Sequence, residues 1–497
     1  MTLNPHLSCR AIGLALCLTG VSLTGCGTGG RSLGVMSAGG QTGPIVIDGF
    51  RHDWTDRSVP TADEHFLYLP IRVEGSSAPL QAMDETLVLM LDLDADPTTG
   101  DRATRPRVAA TLGAELLIEF SPPSEGGPRR GVRVQALDAS GSWMNISHAD
   151  IGLVALPTHA SDWFELRISR RLSGVDRAPE KGMRTIGRTS GMWLLYDSAG
   201  TLAGWSDPFM VDLPRASPSA RRVDAHLPAR QPGAIRIVTF NVHGRLGTSP
   251  EPFARLLDAL DADILLLQEW NGGSALDLET WLTANIAGGE SWHTVVGQSP
   301  DVAIAARGSV RPFGPGRLEL ADTSVPVRFV AAVVTTPLGE IAVASVHLKC
   351  CGSATGPEES RRLAEAEAIN RALGLALGRE QVRACVIGGD LNLVGSRTPI
   401  ETLRSGLDAD GTHLEIIHAG MLGDGTTITW SADSSPFLPS RLDYMLVGEA
   451  GARVVRSFVF DTRVLSEASL ARIGLDRTDS AVSDHLPVVV DLVPRGR

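Results

Sequence analysis

Six apolar runs in the second half of this 497-residue chain each end in side chains that can do chemistry. They read Thr239-Phe240-Asn241, Leu267-Gln268-Glu269, Ser345-Val346-His347-Leu348, Gly388-Gly389-Asp390-Leu391-Asn392, Arg441-Leu442-Asp443-Tyr444 and Ser483-Asp484-His485. Strands of an α/β sheet hand their last side chains to the crevice at their ends, which is where sites are built. Carboxylates offer hard oxygen to divalent cations, imidazoles carry protons near neutral pH, and amides donate to anionic oxygens. One such end alone means little, because a Glu after an apolar strand is usually solvated and a lone His there is usually a satisfied structural residue. Six ends carrying acid, amide and imidazole together are hard to explain as solvated strand ends.

The elements that must position them are legible in the apolar pattern. Ile235 to Phe240, Ile264 to Leu267, Ile341 to Val346, Val386 to Ile387, Tyr444 to Val447 and Val488 to Val490 read as strands. Helical segments alternate with them, most clearly Pro250 to Leu260 and Glu358 to Leu377. The second opens on Pro357-Glu358-Glu359. Proline suits the first helical position, and acids suit the positive end of the helix dipole. The alternation predicts a two-layer or four-layer α/β body over 233–497.

In order and spacing the six ends resemble the endonuclease/exonuclease/phosphatase superfamily of metal-dependent phosphoesterases, over Ile235 to Leu492. Gly389-Asp390-Leu391-Asn392 together with Ser483-Asp484-His485 is the specific part. Thr429-Trp430 and Ser435-Pro436-Phe437, ahead of Arg441 to Tyr444, extend it. The resemblance implies an α/β four-layer sandwich, two β-sheets with outer helices. It also implies hydrolysis of phosphodiester or phosphomonoester bonds, of nuclease, phospholipase C or phosphatase type. On the same basis Glu269 is the principal Mg²⁺ ligand, with Mn²⁺ able to replace Mg²⁺, and Asn241 and Asp484 complete or support that shell. Asp390 orients or deprotonates the attacking water, and Asn392 donates to the phosphate. His485 faces the phosphoryl oxygens with its imidazole held by Asp443, while His347 donates to the phosphate or leaving group. Either Asp390 or the His485–Asp443 pair is the base. His347 and His243 stand where the family's apurinic endonucleases carry a tyrosine and an acid, which points away from DNA repair. The run Lys349-Cys350-Cys351-Gly352-Ser353 is expected at the cleft rim.

Ahead of this body, Pro44 to Leu213 shows short alternating or apolar runs between turn signals, among them Thr86 to Leu93, Leu116 to Phe120, Trp163 to Ile168 and Met192 to Tyr196. Without a long helical period, the pattern predicts an all-β sandwich over 44–213, followed by a linker over 214–232. Ile47-Asp48-Gly49 with Asp53-Trp54 resembles the opening of family-nine carbohydrate-binding modules, which implies glycan as a ligand of this domain. The acidic turn Asp92-x-Asp94-x-Asp96 resembles the one that follows in such modules and could hold Ca²⁺. It is no EF-hand loop, since Pro97 replaces the required glycine and Ala103 stands in place of the closing glutamate. Five tryptophans lie in this region (Trp54, Trp143, Trp163, Trp193, Trp205), as sugar platforms or as core.

The first residues read as an address. Arg10 precedes the apolar run Ala11 to Leu23, too short to span a bilayer but suited to a secretory signal. Leu23-Thr24-Gly25-Cys26 resembles a bacterial lipobox, which implies a signal over 1–26, lipidation of Cys26 and a Gly/Ser-rich tether over 27–43. The expected location is outside the cytoplasm, lipid-anchored to a bacterial membrane. Cys350, Cys351 and Cys385 then remain in an oxidising compartment. Cys385 reads as an inert core thiol, and Cys350-Cys351 could form a vicinal bridge.

Charge narrows the function classes. The chain carries 45 basic and 57 acidic residues, net −12, and 233–497 alone has 23 against 32. Tight nucleic-acid binding is not expected from that balance, because such affinity comes from cationic contacts to phosphate. A local patch of Arg361, Arg362, Arg397 and Arg441 is the one place expected to track a phosphate backbone. The chain has only two lysines, Lys181 and Lys349, and neither ends a Walker A run. The rival reading is a non-catalytic surface-binding lipoprotein with a carbohydrate-binding sandwich and a degenerate enzyme fold. Against it, every acid, amide and imidazole position is filled.

Overall fold

The structure, a computed structural model, describes residues 44–495 apart from 55–58, 102–111, 125–126, 174, 176–182, 218–220, 245, 247, 272, 287–290, 299–300 and 322–323. The signal, Cys26 and the tether expected over 1–43 lie outside the described residues.

The described strands over 233–497 form two six-stranded sheets. In the first, Ile235–Asn241 runs parallel to Ile264–Gln268 and antiparallel to Val488–Pro494, with Val302–Ala306, His293–Val296 and Ala452–Val459 outside them. In the second, Gly339–His347 runs parallel to Ala384–Asp390, flanked by Arg328–Thr336 and Asp443–Val447, with Val310–Pro312 and Glu415–Ile416 at the edges. The central strands are buried on both faces, which explains their continuous apolar runs. Their inner faces pack together through Ile237, Ile264, Leu266, Val343, Val386, Met445 and Val488. Helices Pro250–Leu260 and Ala275–Asn285 cover the first sheet through Phe253, Leu256, Leu278 and Leu282. Helices Pro357–Leu377 and Thr398–Arg404 cover the second through Ile369, Leu373, Ile400 and Leu403. This is the expected four-layer sandwich. The pattern missed several strands, among them Val302–Ala306, Arg328–Thr336 and Ala452–Val459, although the second carries an arginine of the site.

Ahead of it stands the expected β-sandwich. Seven strands, with Thr86–Asp92 and Arg188–Tyr196 paired at the centre, face four, with Phe66–Arg72 and Trp163–Ser169 paired. Leu89, Leu116, Phe120, Phe164, Leu166 and Trp193 fill the space between them. Among the described residues of 44–213 the only helical turn is His148–Ile151, capped at both ends by Ser147 and Gly152.

The two bodies share an extensive boundary, where the sequence pattern gave only a linker over 214–232. Ile47 bridges Thr426 rather than joining a sandwich strand, and the apolar cluster beneath it runs from Trp54 and Leu156 into Ile235 and Met421. Arg167 of the sandwich forms a bidentate pair with Asp424 at 2.7 and 2.9 Å, both side chains about nine-tenths buried. The 214–232 stretch lies along both bodies. Pro214 O accepts from Arg170, and Val223 exchanges backbone bonds with Val464 and Ser466.

Candidate active site

Register brings the predicted ends together. In the second sheet Arg328 pairs His347, His347 pairs Asp390, and Asp390 pairs Asp443, so four chemical side chains stand in one row. In the first sheet Asn241 pairs Gln268, with Glu269 one residue beyond. The sheets approach closely at this end because residue 388 is glycine. A Cβ there would lie 2.7 Å from Leu266 Cδ1 and Met445 Sδ and 3.0 Å from Thr239 Cβ. Asn241 Nδ2 can thereby donate to Glu269 Oε1 at 3.0 Å and across the sheets to Asp390 Oδ2 at 3.2 Å.

Asp390 is the hub. Its Oδ1 accepts from the Asn392 backbone at 3.0 Å, and its Oδ2 lies 3.5 Å from His347 Nε2 and 3.7 Å from His485 Nε2. Burial raises its pKa above the usual carboxylate value, Asp443 adds to the rise, and the two imidazoles oppose it. Each imidazole has its own carboxylate on the far side. His485 Nδ1 is 2.8 Å from Asp443 Oδ2, and His347 Nδ1 is 2.7 Å from Asp301 Oδ2. Burial would depress the His485 pKa, but the Asp443 and Asp390 carboxylates outweigh it and push it up to about 10. Burial works the other way on Asp301, which the hydrogen bond and charge of His347 hold below its ordinary value. Asp301 and Arg328 escaped the sequence reading. Asp301 begins no motif, and its partner is fixed only by the fold.

Asp484 and His243 close the other side. Trp430 Nε1 donates to Asp484 Oδ2 at 2.9 Å, and His243 Nδ1 lies 3.1 Å from Asp484 Oδ1 and 3.7 Å from Glu269 Oε2. Glu269, His243 and Asn392 hold left-handed backbone at φ 51°, 50° and 48°. Such strain in non-glycine residues persists where surrounding structure over-determines it, often at functional sites. Asn392 Nδ2 donates to Leu348 O at 3.2 Å, which turns it along the cleft floor.

The donor set fits a hard divalent cation. Ligand atoms of Glu269, His347 and Asp390 lie within 4.8 Å of one another, and Asp484 Oδ1 is buried without a hydrogen bond. Asn241, expected as a ligand, faces the two carboxylates with its nitrogen, and its Oδ1 accepts from His243 N.

Other expected features fall differently. The arginine patch does not form a phosphate track. Arg362 is wholly buried against Glu359, Arg361 pairs Glu365, Arg397 pairs Glu401, and Arg441 is buried over the Tyr444 ring. In the sandwich, Asp92 and Asp94 gather with Glu115 rather than with Asp96, whose carboxylate accepts from Thr98. Trp54, Trp163 and Trp193 are core, and Trp205 is half exposed. Cys350 and Cys351 stand at the cleft rim as expected, as free thiols with Sγ atoms 2.9 Å apart. Cys385 is buried, and burial pushes its thiol up to about 12, consistent with an inert core residue.

Residues 238–485 match the family model described as the Endonuclease/Exonuclease/phosphatase family. Among solved structures, an endonuclease/exonuclease/phosphatase from Beutenbergia cavernae is similar at 21% identity, covering 54% of this chain and 72% of its own, with a TM-score of 0.35. A family protein from Leptotrichia buccalis is 19% identical over 52% of this chain and 99% of its own, TM-score 0.34. A 3′-5′ exonuclease (NExo) from Neisseria meningitidis is 20% identical over 52% and 100%, TM-score 0.33. No curated protein matches the chain.

Proposed function

We propose that this chain, whose C-terminal half belongs to the endonuclease/exonuclease/phosphatase family, is an exported, Mg²⁺-dependent phosphoesterase. The observation that carries the reading is Asp390 set between two carboxylate-backed imidazoles and beside Glu269. Glu269, with Asp484 and the Asn241 amide in support, would hold the cation beside Asp390. When bound, Mg²⁺ neutralises charge on the phosphoryl group and lowers the pKa of coordinated water. Mn²⁺ would serve in the same donor set.

The protein's own groups divide the remaining work. The Asp443 and Asp390 carboxylates push the His485 pKa up to about 10, which favours its imidazolium form and suits it to donate to a phosphoryl oxygen. Water activation therefore falls to Asp390, whose raised pKa strengthens it as a base. Asp443 fixes the His485 ring, and Asp301 fixes His347 with Nε2 turned toward Asp390; donation from that Nε2 to the phosphate or leaving group requires the imidazolium form, with a proton on both ring nitrogens. Asn392, whose Nδ2 gives one of its two hydrogens to Leu348 O, would donate the other to the phosphate.

Export and lipid anchoring rest on the Leu23–Cys26 lipobox. Incorporation of labelled palmitate that is lost in Cys26→Ala would support them, and equal labelling of both would refute them. Glycan binding by the sandwich would rest on Trp205 alone among its fully described exposed tryptophans, and Ca²⁺ on Asp92, Asp94 and Glu115. The test of the main reading is hydrolysis of DNA, RNA, sphingomyelin and phosphomonoesters with Mg²⁺, using Glu269→Ala as control. Turnover that survives both chelation and that substitution would sink it.

A further inference from the structure

The cleft holding Asp390 and His485 is not built by the catalytic body alone. It is a cavity of ≈ 540 Å³ whose far wall comes from the sandwich: Pro79, Gln81, Ala82, Arg130 and Thr158. That is the size of a small-ligand pocket. The junction is specific. Gln81 Oε1 accepts from Leu438 N at 2.8 Å, Pro436 O accepts from Val132 N at 2.7 Å, and Thr158 Oγ1 accepts from Arg441 N at 3.0 Å. Ser147 Oγ donates to Asp433 O at 2.7 Å, and Leu438 is buried in the sandwich core. Gly131 is required here, at φ 78°, because a Cβ would lie 2.6 Å from Pro436 O. The sandwich therefore clamps the 430–441 loop, which carries Trp430 to Asp484 and leads into Asp443.

One residue of that wall stands out chemically. Arg130 is half buried, its Nε is enclosed without a hydrogen-bond partner, and among the described residues no hydrogen bond or ion pair engages the side chain. Its sequence neighbour is fully occupied, with Arg129 donating to Ser198 O at 2.8 Å and to Thr86. An enclosed Nε–H without a partner is costly unless something brings it an acceptor, and the rest of the guanidinium is free to reach into the cleft. The cleft's other arginine, Arg328, is already committed to His347 and Leu348 O. The same cleft is partly lined by apolar side chains, among them Pro79, Ala82, Val394 and Phe437.

We propose that Arg130 is a substrate-binding residue supplied by the sandwich, which receives an anionic oxygen of a compact phosphate ester whose organic part lies on the apolar wall. The inference rests on the phosphoesterase reading and deepens it. A phosphate ester presents both the scissile centre to Asp390 and a non-bridging or second phosphate oxygen to a planar, multi-donor guanidinium. A ligand-sized, two-walled cleft suits small esters and single phosphorylated ends rather than a duplex lying across an open face.

The test compares wild type, Arg130→Ala, Arg130→Lys and Arg129→Ala as full chains on bis(p-nitrophenyl) phosphate with Mg²⁺. Thermal unfolding is followed in parallel. In Arg130→Ala, KM should rise about tenfold or more while kcat stays within about twofold, the loss expected for a charge-assisted bond made equally in ground and transition states. Lysine should recover part of the affinity, and Arg129→Ala should leave KM unchanged. An unchanged KM in Arg130→Ala overturns the proposal. So does a parallel fall in kcat and melting temperature that lysine does not relieve, which would mark a structural role. Calorimetric titration with phenyl phosphate reads the same site without turnover. If wild type hydrolyses no ester, the phosphoesterase reading fails, and Arg130 is still judged by whether its removal abolishes phenyl phosphate binding. Duplex DNA cleaved as fast as the small diester would overturn the substrate class while leaving the reaction type standing.

Discussion

Asp390 and His485 lie within 3.7 Å, yet their surroundings drive them to different work. Asp443 and Asp390 keep His485 charged, while burial favours the protonated form of Asp390. Asp390→Ala should lower kcat by at least about 10²-fold, the usual scale of a lost general base, read in steady-state assays with saturating Mg²⁺. If His485 acts as an imidazolium, activity should fall as pH rises through about 10. Asp443→Asn should move that alkaline limb down toward the ordinary imidazole value of 6.5, and a pH–rate profile of the two proteins checks it. The same protonation stabilises the fold. Because the folded pKa is raised, its contribution is complete below pH 6.5 and is lost as pH climbs through about 10. Much of this site was readable as residue types. The pairing of His347 with Asp301 was not, since 46 positions separate them.

Strand ends were legible because fully buried strands read as unbroken apolar runs, and each run stops where its polar end begins. Register was not legible, and register is what aligns Arg328, His347, Asp390 and Asp443. The closeness of the two sheets depends on Gly388. Gly388→Val would push against Leu266 and Met445, costing about 1–3 kcal/mol as overpacking and separating Asn241 from Asp390. Denaturant unfolding should show the stability loss, and activity should fall further than the unfolded fraction explains. Helix Pro357–Leu377 positions the rim in the same way. Arg362, wholly buried, pairs Glu359 and donates to the carbonyls of Lys349 and Cys351. Arg362→Ala should destabilise by about 3–5 kcal/mol, because a buried glutamate loses its partner. In the sequence that arginine looked like surface charge, because a helix face is only assigned once its neighbours are known.

At the scale of the molecule, the two bodies behave as one because their contact is made of core and buried charge. Asp424 is held below its ordinary value of 3.8, with Arg167 and Arg221 outweighing the effect of burial. Its pKa is depressed on folding, so the stabilisation is present above pH 3.8 and is lost as pH falls through the folded value. Asp424→Asn should cost about 3–5 kcal/mol at pH 7, as expected when a buried pair loses one member, and less at pH 3, below the unfolded value of 3.8. Unfolding curves at the two pH values measure the difference, and equal losses at both would show that the pair does not couple the bodies.

Local pattern by itself determined that there are two bodies, all-β then α/β, and which acid, amide and imidazole side chains stand at the strand ends. Those properties follow from hydrophobic period and residue type, which are written along the chain. Tertiary structure alone decided that the sandwich walls the cleft, that the arginine patch is spent on internal contacts, and that Arg130 faces the site without a partner among the described residues. The first and last depend on contacts between segments hundreds of residues apart, and the second on which helix faces the packed neighbours bury. A side chain's polarity says what it can bind, and only the packed neighbours say what is left for it to bind.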